Sequence, residues 1–203
     1  LPISFTDHPF QVKDDDEMDQ LVFSVLTQGL LTPITVRATD TDEYEVISGH
    51  RRLLACQKAG IETVPALIYS MDRDAAIIAL VDSNLHREHL LPSEKAYAYK
   101  MKMDAISHQG TSRQVGEKWS VQVLSEAGSD SERQVHRFMR LTNLIPEILQ
   151  MVDQGKIALT PAVELSYLKE SEQKDLLETM ESEDCTPSLS QSQQLKKLSQ
   201  SGE

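Results

Sequence analysis

Along residues 21–80 the apolar residues change period repeatedly, and this limits the fold more than any other feature of the chain. Met18, Leu21, Val22, Val25 and Leu26 recur at helical spacing and stop at Gly29. Ile34-Thr35-Val36-Arg37-Ala38 then alternates as a half-buried strand, with Pro33 extending Thr32 ahead of it. Asp40-Thr41-Asp42-Glu43 turns the chain into a second strand-like run, Tyr44-Glu45-Val46-Ile47-Ser48. A helical run from Leu53 to Ala59 ends at Gly60, and Val64 to Tyr69 reads as a strand that Pro65 confines to its first residues or to a sheet edge. Asp72 to Val81 predicts a further helix, capped by Asp72 or Asp74. Such alternation is the mark of an α/β or α+β unit.

Between the second strand and its helix stands Gly49-His50-Arg51-Arg52. A glycine there lets the backbone approach a ligand, the first-turn amides point outward, and two arginines add positive charge. The turn reads either as a phosphate seat or as a solvated helix start whose arginines meet local carboxylates. A second constellation runs from Asp82 to Ala96. Asn84 offers an amide oxygen, Arg87 a fork for phosphate, and Asp82 or Glu88 a carboxylate, the ligand types that Mg²⁺ accepts beside nucleotide oxygens. The plainer reading is a polar loop between two helices, with Pro92 in the first turn of the second.

The net charge of −12 argues against a general polyanion binder. The charge is uneven: residues 1–92 hold 7 basic against 15 acidic residues, residues 93–168 hold 9 of each, and residues 169–203 hold 4 against 8. Any nucleic-acid face is therefore a local stripe in the middle section. That section contains two helical segments between Ser120 and Leu141, separated by Ala127-Gly128-Ser129-Asp130-Ser131, which is a helix-turn-helix layout. Asp130 or Ser131 caps the second helix, and Arg133, Arg137 and Arg140 form one ridge with Gln134 and His136 at its flanks. Such side chains hold phosphates and read bases.

Around it, Ser93 to His108 predicts a long helix, Gln109 to Lys118 a mobile connection, and Trp119 an anchor for the next helix. Asn143 to Val152 and Thr160 to Leu168 predict two more helices, each with a proline in its first turn, and Glu170 to Glu181 a charged one. The Ser/Gln-rich remainder reads as a linker or a helix whose partner is missing. The two cysteines, Cys56 and Cys185, have no disulfide or zinc spacing, and Cys56 reads as a core residue. No apolar stretch approaches the roughly 20 residues of a membrane helix, so no membrane association is expected and the setting is a reducing cytoplasm. The ends of the chain read as those of a fragment.

Taken in order, Gly29-Leu30-Leu31-Thr32-Pro33-Ile34, Val46-Ile47-Ser48-Gly49-His50-Arg51-Arg52, and Asn84-Leu85-His86-Arg87 with Leu90-Leu91-Pro92-Ser93-Glu94-Lys95-Ala96 resemble the ParB family of DNA partition proteins over residues 5 to 168. The resemblance implies an α+β chain: a small mixed-sheet ParB/sulfiredoxin-like domain (residues 1–92), an all-α helix-turn-helix domain (93–168), then a charged helix and linker (169–203). It further implies CTP with Mg²⁺ as cofactors, double-stranded DNA as partner, a ParA-type ATPase, a homodimer in the full-length protein, and a place on the nucleoid or a plasmid. Gly29, Thr32, Pro33, Gly49, His50, Arg51, Arg52, Asn84 and Arg87 would form the nucleotide site, with Asn84 facing the metal. Ser131, Arg133, Gln134, His136, Arg137 and Arg140 would face DNA.

Two positions depart from the family pattern. Ser83 stands where many members have a glutamate used for the metal and for hydrolysis, and a hydroxyl cannot replace a carboxylate as a charged ligand. His50 stands where Glu or Gln is frequent. Weak CTP hydrolysis therefore stays open. Three classes compete: a sequence-specific partition protein gated by CTP, a transcription regulator of a mobile element that uses the same fold without clamp or hydrolysis, and an enzyme of sulfiredoxin type. Against the last, Gly49 occupies the place of the catalytic cysteine.

Overall fold

The computed structural model describes residues 3–4, 8–41, 43–109 and 130–202. Its elements are β1 (Ile3–Ser4), α1 (Asp16–Gln28), β2 (Ile34–Ala38), β3 (Tyr44–Ser48), α2 (His50–Lys58), β4 (Ala66–Tyr69), α3 (Arg73–Leu85), α4 (Pro92–Gln109), α5 (Glu132–Arg140), α6 (Pro146–Asp153), α7 (Leu159–Leu165), α8 (Glu170–Glu183) and α9 (Leu189–Ser201). A single 3₁₀ turn, Leu141–Asn143, follows α5. The first helix of the expected helix-turn-helix, the residues before Asp130 in its turn, the connection after Gln109 and Trp119 lie outside the described residues. The fold class is α+β, as expected. Among the described residues no helix is long and apolar enough to cross a membrane.

The chain divides into two compact units. One comprises the residues up to His86 with the end of α4 from Asp104; the other comprises Arg87–Met103 and the described residues from Asp130 onward. In the first unit the sheet has the order β1-β3-β2-β4, with β2 antiparallel to β3 and the outer strands each parallel to their neighbour. The β2–β3 hairpin follows directly from the alternating sequence. β1 carries no periodic signal because it is two residues long. β4 begins after Pro65, whose carbonyl accepts a 3.1 Å bond from the Ile34 amide, so proline enters the edge without having to donate.

Two apolar contacts fix α2. Ile34, Val36 and Val46 of the sheet pack with its Leu53, while Met18 and Val25 of α1 pack with its Ala55 and Cys56. Cys56 is fully buried, and burial pushes its thiol upward in pKa, away from the reactive thiolate. α1 begins at Asp15, whose carboxylate accepts from the Met18 amide, and ends at Gly29 with φ 72°. α3 runs four residues past the expected end at Val81, because Leu85 continues the buried row of Ile77, Leu80 and Val81. Asp82, Ser83 and Asn84 are therefore helical rather than part of a loop.

In the second unit, Val135, Leu141, Ile148, Ala162 and Leu165 are fully buried. Gln173 of α8 lies among them and is satisfied on all sides: its Oε1 accepts from the Ile145 amide at 2.8 Å, and its Nε2 donates to the Asn143 and Leu168 carbonyls at 3.0 and 3.1 Å. The Ser/Gln-rich stretch forms α9 instead of running on as a linker. Ser188 caps it in a reciprocal box with Gln191, its Ser192 is fully buried, and its Lys196 reaches Glu164 of α7 at 2.8 Å.

Candidate nucleotide seat and nucleic-acid interface

Gly49 is the hinge between β3 and α2, with φ 104° and ψ 24°. A Cβ there would sit 2.8 Å from Ile34 Cγ2 and 3.1 Å from an Arg52 guanidinium nitrogen, so only glycine fits. Gly49 has no side chain to cap α2, and the helix start has no side-chain cap hydrogen bond. The two arginines then diverge. Arg52 donates to the Thr32 and Pro33 carbonyls at 2.8 and 2.6 Å, which ties the Gly29–Pro33 turn to the glycine turn. Arg51 extends to the start of α1, 3.3 Å from Asp15 and 3.2 Å from Glu17. His50 is buried, its ring 3.9 Å from that of His8.

The expected residues of this site are thus brought together in part. Gly29, Thr32, Pro33, Gly49 and Arg52 form one connected surface, with Arg51 beside it. Asn84 lies near the end of α3, which packs on β3. Its side chain is buried and turned along its own helix, Nδ2 donating to the Leu80 carbonyl at 2.8 Å and to Ser83 Oγ at 3.2 Å. Ser83 Oγ donates to the same carbonyl at 2.9 Å. Arg87 is exposed and opens the second unit. Among the described residues no three His, Cys, Asp or Glu side chains group as a metal site. The donors suit an anion: amides, a guanidinium and a close-approach glycine. A cation would find only neutral oxygens at Ser83 and Asn84, so Mg²⁺ fits here only in company with phosphate oxygens.

In the second unit the expected DNA-facing residues lie on or next to α5. The helix is held at both ends. Ser131, rather than Asp130, is the cap, and Ser131 and Gln134 satisfy each other in a capping box. Asp130 instead accepts from Lys95 Nζ and the Tyr99 hydroxyl, both at 2.8 Å, and the Lys95 ammonium sits 5.0 Å from the Phe138 ring centroid. Burial and then the Asp130 carboxylate push the Tyr99 hydroxyl well above its usual range, so it remains the donor.

Among the arginines, Arg133 is exposed beside His136, while Arg137 donates to Thr160 Oγ1 at 2.5 Å. Arg140 turns inward: it donates to the Ser166 carbonyl at 2.9 Å, and its guanidinium carbon lies 3.9 Å from the Tyr167 ring centroid. A groove of about 510 Å³ is lined by Glu132, Arg133, His136, Arg137 and Arg140 together with Val163 and Tyr167. Val163 and Tyr167 were not legible as part of it, nor Thr160 as the partner of Arg137, since contacts 20 to 30 residues apart leave no periodic trace. Asp15 and Glu17, the partners of Arg51, gave only a helix-start signal.

The chain thus carries a glycine-turned helix start in an α+β unit and a capped basic helix in a helical unit. Residues 4–85 match the ParB N-terminal domain. The chain is 32% identical over 177 residues to a nucleoid occlusion protein of Listeria innocua, a match covering 85% of this chain and 57% of that protein. It is 44% identical over 93 residues to a nucleoid occlusion protein of Bacillus cereus, covering 45% of this chain and 32% of that protein. The chain therefore spans little more than half the length of the Listeria relative. The C-terminally truncated chromosome-partitioning protein ParB of Caulobacter crescentus, solved in complex with the centromeric parS site, matches with a TM-score of 0.54 at 21% identity, covering 98% of this chain and 95% of that one. That likeness speaks for the fold.

Proposed function

We propose that this chain binds a specific double-stranded DNA site through α5 and its groove, in a chromosome-partition or nucleoid-occlusion role, and that a nucleotide triphosphate in the Gly49 seat controls the engagement. The observation that carries the reading is the Gly49–Arg52 turn itself: a glycine at φ 104° that starts the helix without a side-chain cap, braced by Arg52 against the Thr32 and Pro33 carbonyls. The match of residues 4–85 to the ParB N-terminal domain, with relatives named for nucleoid occlusion and a structural neighbour bound to parS, supports the DNA half and makes CTP the favoured nucleotide.

In this reading the amides of His50 and Arg51 take phosphate oxygens, and Arg51 leaves Asp15 and Glu17 to meet the triphosphate. Arg52 keeps the turn closed. Asn84 contributes its amide oxygen to a Mg²⁺ that arrives with the nucleotide; the ion offsets phosphate charge. On the DNA side, Arg133 and His136 meet phosphates, and Arg137 lies where a base edge is reached from the groove. A ParA-type ATPase and a homodimer of the full-length protein belong to the same proposal. Ser83 favours a second reading, a regulator that binds nucleotide without hydrolysing it, since no carboxylate stands at that position.

Calorimetric titration with CTP, ATP, GTP and UTP in Mg²⁺ tests the seat, and selection from a random DNA pool tests the interface. Preference for CTP and enrichment of one DNA motif are expected. Equal or absent binding of all four nucleotides would remove the gating half, and an unenriched pool would remove the DNA half.

A further inference from the structure

One aromatic ring ties the basic helix to the end of the chain. Tyr167, just after α7, takes two cations on its ring: the Arg140 guanidinium carbon at 3.9 Å from the centroid and the Lys196 ammonium at 3.7 Å. Each cation is also anchored. Arg140 donates to the carbonyl of Ser166, itself buried, and Lys196 pairs with Glu164 at 2.8 Å, where both side chains are about a quarter exposed or less. The network thus joins α5, α7 and α9 through one residue, and its Arg140 and Tyr167 also line the groove that holds Arg133 and Arg137.

Tyr167 is 39% exposed, so each cation contact on its ring is modest and the ring's place rests on holding two of them. Arg140 spends one guanidinium nitrogen and its flat face on this task. A residue so committed does not read a base. Its place at the last turn of α5 means that its anchoring sets the height and rotation of that helix over the groove.

From this we infer that Tyr167 is a positioning residue for DNA recognition and that α9, through Lys196, is a working part of the DNA-binding unit rather than a tether. The inference rests on the DNA-binding reading and adds to it a residue outside the basic helix, 27 positions beyond Arg140. It requires an aromatic face at position 167 and makes no use of the hydroxyl.

The test compares wild type, Tyr167→Phe and Tyr167→Leu in the full chain, with two readouts: affinity for the selected DNA site, and amide hydrogen exchange over Phe138–Leu141 and α9. Leucine fills much of the volume without a π-face. The expected result is that Tyr167→Leu loses about tenfold in affinity and exchanges faster in both segments, with far-UV dichroism unchanged, while Tyr167→Phe behaves as wild type. Wild-type affinity and exchange in Tyr167→Leu would overturn the inference and leave the DNA reading standing, as would equal losses in the two variants. Failure of the wild-type chain to bind any DNA would overturn both, and the exchange data would then show the network to be a scaffold only.

Discussion

At Gly49 a backbone angle and a packing distance make the same demand. An alanine would have to adopt φ near 104°, outside the left-handed basin that L-residues tolerate, and its Cβ would press on Ile34 Cγ2 at 2.8 Å in a fully buried part of the sheet. Gly49→Ala should therefore lower stability by at least about 2 kcal/mol, read as a reduced urea midpoint with unchanged slope, and should weaken nucleotide binding as the first-turn amides shift. An unchanged midpoint would show that the turn relaxes freely and would undo the close-approach account. The glycine and both arginines were legible in the sequence because strand period, turn and helix period meet there. What each arginine does was not legible. Arg52 finds backbone carbonyls, which every residue has, and Arg51 finds carboxylates 34 and 36 positions away. The even choice between phosphate seat and local pairing has a divided outcome in this structure: Arg51 makes the carboxylate pairs, while Arg52 braces the turn.

α5 was visible as a helix with a cap and a row of arginines, and its surroundings explain where that picture needed revision. Spacing put Arg133, Arg137 and Arg140 on one exposed ridge, yet the last of these turns inward because Ser166 and Tyr167 stand beside it. Gln134, expected at the flank of the ridge, is occupied by the cap. Asp130 and Ser131 competed equally for the cap on sequence grounds. The serine has it because Lys95 and Tyr99 hold the aspartate. The arginines thus stand in different settings, and Arg133 and Arg137 should fail differently. Arg133→Ala, removing an exposed charge, should weaken DNA binding about equally across sequences and lower the salt-dependence slope by about 1. Arg137→Ala, in the groove beside Thr160, should cost about 1–3 kcal/mol and relax preference at one base position. Affinity measured for the selected site and for point variants of it, at several salt concentrations, separates the two. Identical behaviour of both variants would deny the groove any role in reading bases.

Across the whole molecule, a net charge of −12 leaves no general attraction for DNA, so recognition depends on one locally basic element and on whatever adjusts its availability. The chain divides after His86, and α4 is shared, its residues up to Met103 belonging to one unit and those from Asp104 to the other. If the Gly49 seat controls DNA engagement, the two binding events are coupled, and coupling in free energy is reciprocal: whatever factor CTP applies to DNA affinity, DNA must apply to CTP affinity. Titrating CTP into the chain with and without the selected DNA site, and DNA with and without saturating CTP, should give the same factor from both directions. About 1–3 kcal/mol, or roughly 5- to 150-fold, is the usual range for such coupling. The sign carries the biology, since a nucleotide that weakens affinity for the site releases the protein from it, whereas one that strengthens it holds the protein there. A factor of one in both titrations, with each ligand still binding, would leave a plain DNA-binding regulator with a nucleotide site of separate purpose. Because Ser83 supplies no carboxylate, the factor should also persist over hours in Mg²⁺ rather than decay as CTP is consumed.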